Sequence, residues 1–378
     1  MSARRLSTGG LIDRSQPLQF SWDGMELRGF SGDTLASALL ASGERVFGRS
    51  FKYHRPRGVM SAGVEESGAI VTTGTGARTD ANVKATTQEL FQGLTARGQN
   101  AYPHVRFDLG AVNNLLSRFF SAGFYYKTFM GLPPFEWGSG TGYWMWCEKI
   151  IRKAAGMGKI SREPDPDRYD QAHGFCDVLV VGGGVAGLAA AAEAAKAGLE
   201  VWLIEQDFML GGELLSRTDE QAQALRTKLL GEIERYGVKV MTRTTAFGLY
   251  DYGVAGLFER VTDHLPGAQA HLPRHRFWTL RAKHTVVAAG ALERPLAFGD
   301  NDVPGVMGVA AARTYLNRFA VLPGERLAIT TNNDSVYESA ADLANAGANV
   351  VLLDSRSHVS DTVTQAAKDA GVSVQLAM

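Results

Sequence analysis

Three glycines, Gly182, Gly184 and Gly187, stand in the spacing G-x-G-x-x-G between an apolar run at 178–181 and a run of small residues at 188–197. The apolar run predicts a buried strand, and the small residues predict a helix. In that setting the first glycine permits a tight turn, the second lets the backbone approach a pyrophosphate, and the third lets the helix pack on the strand. The pyrophosphate would rest on free N–H groups at the start of the helix. The spacing therefore predicts a dinucleotide-binding strand–turn–helix–strand unit over residues 177–205.

A carboxylate follows at the position that reads the ribose of such a ligand. Glu205 ends the next apolar strand, 200–205, and lies 23 residues after Gly182. A carboxylate there accepts hydrogen bonds from the adenosine ribose hydroxyls and repels a 2′-phosphate. The pattern favours NAD or FAD over NADP and leaves the choice between the first two open.

Further positions come from the resemblance of this stretch to the Rossmann domains of flavin disulfide reductases. Residues 211–213 (GGE) stand where that superfamily's second glycine pair lines the cofactor, 244–246 (TTA) are expected to end a strand facing an adenine, and 286–291 (VVAAGA) resemble its late apolar strand. The complete predicted cofactor site comprises Gly182, Gly183, Gly184, Val185, Ala186, Gly187, Glu205, Gln206, Gly212, Glu213, Thr245, Ala246, Ala289 and Gly290.

No side chain can be identified from the sequence as a catalytic acid, base or nucleophile, so we name no catalytic residue. Four histidines are interpreted as surface or packing residues: His54, His173, His275 and His284. The two cysteines, Cys147 and Cys176, are too few for a disulfide framework or an iron–sulfur site. We expect two reduced, partly buried thiols in a cytosolic protein and no metal site.

Composition limits the partners. The 378 residues carry 39 basic and 39 acidic side chains, so there is no global electrostatic reason to bind nucleic acid or an anionic membrane. The basic run at 52–57 (KYHRPR) is interpreted as a solvated or subunit-facing loop. The longest uncharged stretch, 178–192, is too short for a membrane span, and no signal peptide is visible, so we expect a cytoplasmic protein.

Strands alternating with helices predict a parallel α/β sheet in the second half of the chain. A helix is expected near 220–236, with Leu225, Leu229 and Ile233 on its buried face. Another strand–turn–helix–strand unit spans 326–354, but its turn, 331–336 (TNNDSV), has none of the three glycines. We interpret it as a nucleotide-binding unit that kept its fold and lost its ligand. Because the chain ends just after a strand at 372–376, we expect a fragment of something longer.

Earlier in the chain, residues 20–30 predict a hairpin around Asp23-Gly24, 34–42 a short helix, and 69–73 and 83–87 further strands. The segment 101–168 is rich in aromatic residues, which more often fill a packing interface than bind a cofactor. The sharper form of that hypothesis is a partner-subunit surface that includes Trp144 and Trp146.

Two groups of local matches carry a family resemblance. Residues 48–58 (GRSFKYHRPRG) with 59–63 (VMSAG) form the first group, and 288–295 (AAGALERP) with 301–305 (NDVPG) form the second. Over essentially its whole length, the chain resembles the N-terminal part of the α subunit of heterotetrameric sarcosine oxidases. The fold class expected from this resemblance is α/β, with a Rossmann-type, disulfide-reductase-like FAD/NAD-binding sheet preceded by a β-grasp, ferredoxin-like lobe.

The resemblance also implies a domain division and a function. The expected units are a β-grasp lobe at 1–100, an aromatic-rich connection at 101–172, the dinucleotide-binding domain at 173–322, and a degenerate, truncated second Rossmann-like lobe at 323–378. In this family the α subunit holds NAD in its Rossmann site, which corresponds to the glycine turn of this chain, and it assembles with β, γ and δ subunits. FAD and covalently attached FMN belong to the partner or its interface. The reaction demethylates sarcosine oxidatively to glycine and yields hydrogen peroxide.

Two departures from the family and two alternatives remain. Residues 1–146 contain no cysteine, so the β-grasp lobe is expected to be structural and to hold no [2Fe–2S] cluster. The family's folate-binding region is missing, so this chain should neither bind folate nor turn over alone. One alternative is an FAD-containing subunit of the amine, opine or proline dehydrogenase type. The other is a non-catalytic, nucleotide-binding assembly module.

Overall fold

The computed structural model describes residues 4–115, 117, 142–155 and 158–377. Most of the aromatic residues of the segment 101–168, including Phe119, Phe124 and Trp137, lie outside the described residues. Eight α-helices are described: α1 (Leu35–Ala41), α2 (Val112–Leu115), α3 (Gly142–Ala155), α4 (Val185–Lys196), α5 (Glu220–Arg235), α6 (Val309–Phe319), α7 (Ser335–Asn345) and α8 (Asp361–Asp369).

Twenty strands are described in the same part of the chain. The N-terminal strands are β1 (Arg4–Arg5), β2 (Asp13–Trp22), β3 (Met25–Ser31), β4 (Gly48–Arg49), β5 (Pro56–Arg57), β6 (Ile70–Thr73), β7 (Asp80–Lys84), β8 (Leu94–Gly98), β9 (Pro103–His104) and β10 (Phe107–Asp108). The remaining strands are β11 (Tyr169–Val181), β12 (Val201–Ile204), β13 (Lys239–Met241), β14 (Thr244–Tyr250), β15 (Val254–Arg260), β16 (His275–Val287), β17 (Val321–Leu322), β18 (Arg326–Thr331), β19 (Asn349–Asp354) and β20 (Ser373–Leu376).

A five-stranded mixed sheet in the order β3-β2-β8-β6-β7 forms the N-terminal lobe, with α1 packed into its core. The predicted hairpin is confirmed: β2 and β3 are antiparallel, and Asp23 and Gly24 turn the chain in left-handed conformations. The predicted short helix is also confirmed as α1, and Thr34 and Ser37 form a capping box at its start. The strand expected at 83–87 begins and ends earlier in the chain, because β7 runs from Asp80 to Lys84.

The central sheet has the order β13-β12-β11-β16-β15-β14. The first four strands pair in parallel, whereas β15 pairs antiparallel with both of its neighbours, β16 and β14. Helices α4 and α5 cover one face, packing on the apolar residues of β11 and β12. The predicted helix near 220–236 is confirmed, but the assignment of Leu225 to its buried face is wrong. Leu225 is 39% exposed, while Ala222 is buried with Leu229 and Ile233. Successive i+4 steps drift around a helix with 3.6 residues per turn, so the seven-residue step from 222 to 229 stays closer to the core.

The C-terminal unit is a three-stranded parallel sheet, β18-β19-β20, covered by α7 and α8. Helix α6 joins it to the rest of the molecule. Its residues Tyr315 and Phe319 lie in the N-terminal core, whereas Ala312 and Leu316 lie in the core of the C-terminal unit. Strand β17, which follows, pairs with β1. Residues 309–322 thus pack between the other units.

An arginine ties the N-terminal lobe to the central sheet. Arg274 contacts the carboxylates of Asp80 in the lobe, Asp167 in the connection and Asp263 in the sheet domain, the last at 2.8 Å. The neighbouring carboxylates raise the pKa of Arg274, against the opposing effect of its burial. Among the described residues, no helix combines the length and apolar character needed to cross a membrane.

Candidate dinucleotide site

The turn between β11 and α4 is built so closely that only glycine fits at two of its positions. Gly182 has a φ of 107°, and a Cβ there would collide with the carbonyl of Ala288 at the end of β16. A Cβ on Gly187 would overlap the carbonyl oxygen of Gly182. The first glycine therefore makes the turn, and the third brings α4 onto the strand, as the spacing predicts.

The main chain of two glycine-containing segments lies at the start of helix α4. Gly184 is the N-cap of this helix, and no side chain caps it. Gly212 faces Gly184 so closely that a Cβ on Gly212 would lie 2.9 Å from the Gly184 Cα. Val185 and Ala186, in the first turn, are exposed. A pyrophosphate fits such a cradle, because the N–H groups of the first helical turn have no intrahelical partner and carry the positive end of the helix dipole.

Glu205 lies beside this turn at the carboxyl end of β12. Its Oε2 accepts a hydrogen bond from the Gly183 N–H at 2.6 Å, and its Oε1 accepts one from the Asp207 N–H at 2.8 Å. Burial raises the pKa of Glu205, opposed by these backbone donors. Each carboxylate oxygen can accept a second hydrogen bond, so the side chain is fixed in place and can still receive ribose hydroxyls.

The structure brings several other predicted site residues to the same edge of the sheet. Ala289 adjoins Gly182, at 3.3 Å from where a Gly182 Cβ would lie, and Gly290 follows in a left-handed conformation with φ 75°. The Gln206 side chain is exposed. Glu213 is also exposed, and its carboxylate lies 4.0 Å from the Arg217 guanidinium.

The expectation that residues 244–246 end a strand is wrong. The preceding strand, β13, ends at Met241, and Thr244 begins β14, which runs antiparallel to β15. Arg243, in a left-handed conformation with φ 55°, lies in the short connection between the two strands. Thr244 still lies beside the site, because its N–H donates to the Glu205 carbonyl at 2.8 Å. Thr245 and Ala246 sit one and two residues farther along the new strand.

Sequence reasoning missed two features of the site. The N–H of Gly211, which has a φ of 135°, donates to the Gly183 carbonyl and joins the two glycine segments. Asp207 receives both terminal nitrogens of Arg318 on α6, at 2.6 and 2.8 Å. The repeated glycine at 211–212 was a usable signal for the first feature. No local pattern signals the second, since 111 residues separate the partners.

The second strand–turn–helix–strand unit has a carboxylate in the same place, but this one is already engaged. Asp354 ends β19 and is fully buried. It accepts hydrogen bonds from the Arg356 guanidinium at 2.8 and 3.1 Å and from the Tyr337 hydroxyl at 2.8 Å. The Arg356 side chain lowers the pKa of Asp354 to about 2. The unit's turn carries Asn332 and Asn333 side chains where the first turn has bare backbone. This arrangement does not fit a dinucleotide.

The histidines and cysteines behave as expected from the sequence. His54 is buried against Asp108 at 2.7 Å, His275 bonds to Asp263, and His173 and His284 are exposed. Both thiols are free and buried, and burial raises the pKa of Cys176 to about 11, which keeps it protonated and unreactive. Within the described ranges, no group of three or more His, Cys, Asp or Glu side chains could hold a metal ion.

Comparison with known families identifies the domain that contains the glycine turn. Residues 176–377 match the family described as pyridine nucleotide-disulphide oxidoreductase. The chain belongs to this family. A second match, described as a 2Fe-2S iron-sulfur cluster binding domain, covers residues 15–101. The pyridine nucleotide-disulphide oxidoreductase match contains the whole glycine turn, Glu205 and the C-terminal unit, and together the two matches confirm the expected fold class.

Among curated proteins, this oxidoreductase resembles sarcosine oxidase α subunits. It is 49% identical to the subunit from Rhizobium meliloti (strain 1021) over 94% of this chain and 36% of that protein. It is 36% identical to the subunit from Corynebacterium sp. (strain U-96) over 97% of this chain and 33% of that protein. The resemblance seen in the sequence is confirmed, and the chain spans about a third of the length of these relatives.

Among solved structures, the L-proline dehydrogenase from P. horikoshii aligns with a TM-score of 0.61 and 20% identity, covering 92% of this chain and 55% of that one. This likeness concerns the fold alone.

The N-terminal lobe matches an iron–sulfur family, so its residues can be compared with the ligands that a cluster requires. A [2Fe–2S] cluster needs four cysteine or histidine ligands. Residues 15–101 contain no cysteine and only one histidine, His54, which is paired with Asp108. The lobe's residues do not fit a cluster.

Proposed function

We propose that this chain is the NAD-binding part of the α subunit of a multi-subunit, flavin-dependent sarcosine oxidase. The observation that excludes NADP is the Glu205 carboxylate, held against the glycine turn by the Gly183 and Asp207 N–H groups. A negative charge fixed there accepts ribose hydroxyls and repels the 2′-phosphate of NADP. The choice of NAD over FAD follows the resemblance to sarcosine oxidase α subunits.

In this proposal the chain's own residues bind and orient the dinucleotide. Gly184 and the first turn of α4 receive the pyrophosphate, and Glu205 receives the adenosine ribose. Ala289 and Gly290, which follow β16, lie next to the turn. A bound nicotinamide nucleotide supplies hydride-transfer chemistry in general. We assign this chain the binding role and place sarcosine oxidation, with release of hydrogen peroxide, in a partner.

The partner assignment rests on similarity. At 49% identity across nearly the whole chain, the relative named sarcosine oxidase subunit alpha supports membership of a multi-subunit enzyme. The proposed partners are β-, γ- and δ-type subunits in a cytoplasmic heterotetramer, with FAD in the partner and FMN in the partner or at its interface. Exposed apolar residues of α3, including Met145 and Trp146, support a partner surface near the connection.

Two alternatives predict different contents for the same cradle. In an FAD-containing amine, opine or proline dehydrogenase-type subunit, Glu205 would hold the ribose of FAD. In a non-catalytic assembly module, the nucleotide would stabilise the chain, and no flavin-bearing partner would join it.

Calorimetric titration of the nucleotide-free chain with NAD, NADP and FAD separates the proposed function from the FAD-containing alternative, and co-purification with a flavin-bearing partner separates it from the assembly module. We expect NAD to bind at least about tenfold more tightly than NADP, because the 2′-phosphate would meet the Glu205 carboxylate. Glu205→Gln should weaken NAD binding about tenfold or more, since hydrogen bonds to a charged acceptor are worth about 1.5–3 kcal/mol. Glu234→Gln, which alters an exposed carboxylate on α5 outside the predicted site, is the matched control and should bind like the wild type. Preference for FAD, or equal affinity for NAD and NADP, would contradict the proposal.

A further inference from the structure

The N-terminal lobe contains the ligand spacing of a [2Fe–2S] loop without its cysteines. Plant-type clusters use the spacing C-x4-C-x2-C, followed by a more distant fourth cysteine. Ser61, Glu66 and Ala69 have this spacing. They lie within residues 15–101, which match the iron–sulfur domain family, and directly before β6.

The structure brings these three positions together around one buried carboxylate. Glu66 is 2% exposed. Its Oε2 accepts hydrogen bonds from the N–H groups of Met60 and Ser61, at 2.8 and 2.9 Å. Its Oε1 accepts hydrogen bonds from the N–H groups of Gly68 and Ala69, at 2.5 and 2.9 Å. The amides of the first and third positions in the spacing therefore both point at the side chain of the second.

Convergent backbone N–H groups form a concave anion site, an arrangement that also surrounds many phosphate and iron–sulfur groups. A buried carboxylate is stable only when its oxygens are hydrogen-bonded, and here four amides satisfy them. We propose that the Glu66 carboxylate takes the place of the anionic cluster as the centre around which residues 60–69 fold. The loop keeps its ferredoxin-type shape, and the lobe carries no electrons.

The loop held by Glu66 also positions elements close to the dinucleotide site. The Met60 carbonyl accepts the Gly308 N–H at 2.9 Å, and the Ser61 carbonyl accepts the hydroxyl of the buried Tyr315 at 2.8 Å. Both partners belong to α6 or its N-cap. The two carboxylate oxygens of Glu293, three residues after Gly290, accept hydrogen bonds from the first N–H groups of the same helix. Glu66 is thus a positioning residue for α6.

Glu66→Ala removes a group equivalent to acetate and leaves the four amides facing an empty space. In the full 378-residue chain we expect its thermal midpoint to fall by at least about 5 °C, because buried amides lose their acceptors. Sodium acetate should restore much of that loss, and sodium chloride at equal ionic strength should not. The matched control is Glu65→Ala, which removes an adjacent exposed carboxylate and should show neither effect.

Glu66→Gln keeps one acceptor oxygen and serves as the second variant if Glu66→Ala does not fold. It should be less stable than the wild type, because an amide NH2 would face two backbone donors. Wild-type stability in either variant, or a folded Glu66→Ala that gains no more from acetate than from chloride, would overturn the proposal. So would retention of iron and sulfide by the wild-type chain after incubation with ferrous iron, sulfide and thiol followed by desalting.

Discussion

At the scale of single residues, Glu205 and Asp354 occupy corresponding places at the ends of two parallel strands and differ in what surrounds them. Backbone N–H groups hold Glu205 and leave lone pairs free for a ligand. The Arg356 and Tyr337 side chains saturate Asp354 within the fold. We therefore propose that the first carboxylate receives a nucleotide, whereas the hydrogen bonds of the second are satisfied within the fold. The missing glycines at 331–336 predicted the loss of a ligand in the second unit, whereas the arginine and tyrosine that engage Asp354 had no signal in the spacing.

The close contact at Gly187 gives a prediction about single residues. Gly187→Ala should abolish nucleotide binding and lower the free energy of unfolding by about 1–3 kcal/mol, because its Cβ would overlap the Gly182 carbonyl. Gly231→Ala is the control: it lies inside α5 with no atom near its added Cβ, and should stabilise the chain by up to about 1 kcal/mol. Urea unfolding and NAD titration of both variants measure the two effects. A Gly187→Ala protein that binds NAD normally would contradict the role given to the turn.

At the scale of elements, periodicity and capping residues predicted the existence and type of the main helices and strands. Thr34 and the glycine turn at 182–187 place element starts because their chemistry is local. The misplaced details, Leu225 and the strand at 244–246, depend on tertiary context. The depth to which one side of α5 is covered, and the place where β13 ends and β14 begins, are decided by packing between elements that are distant in sequence.

The junction of β19 and α7 should respond to pH. The folded-state pKa of Asp354 is about 2, below its ordinary value of 3.8, so its contribution to stability is present above the ordinary value and is lost as pH falls toward 2. We expect Asp354→Asn to cost most stability at neutral pH, and the difference from the wild type to shrink as the pH falls below about 4. Denaturant unfolding across that range measures it. For the exposed Asp361→Asn control, the difference should stay small throughout; an equally flat difference for Asp354→Asn would contradict the assignment.

At the scale of the whole molecule, α6 is shared between the N-terminal and C-terminal cores and holds Asp207 beside the dinucleotide site. The division into domains stays a prediction from the family resemblance. The joining role of α6 could not be anticipated from the sequence, since Tyr315 reaches Ser61 across 254 residues. Neither could the three-carboxylate contact of Arg274, whose partners come from three separate segments.

A surface on α3 gives a prediction about assembly. Trp146 is 61% exposed, and we expect Trp146→Ala to weaken association with a flavin-bearing partner by about tenfold or more, since aromatic residues dominate interface energies. The monomer's thermal midpoint should change little. Tyr252→Ala, at an aromatic residue that is 90% exposed on the central sheet domain, is the control. Co-expression followed by sedimentation measures assembly. A variant that assembles normally but unfolds easily would place Trp146 in the core instead.

We propose that the glycine turn and Glu205 hold NAD in this chain, and the bound nucleotide can be identified directly. The protein is purified without added nucleotide and denatured, and the released small molecules are identified by mass spectrometry. We predict NAD in near-stoichiometric amount from the wild type and none from Gly187→Ala. Release of flavin without NAD would contradict the account.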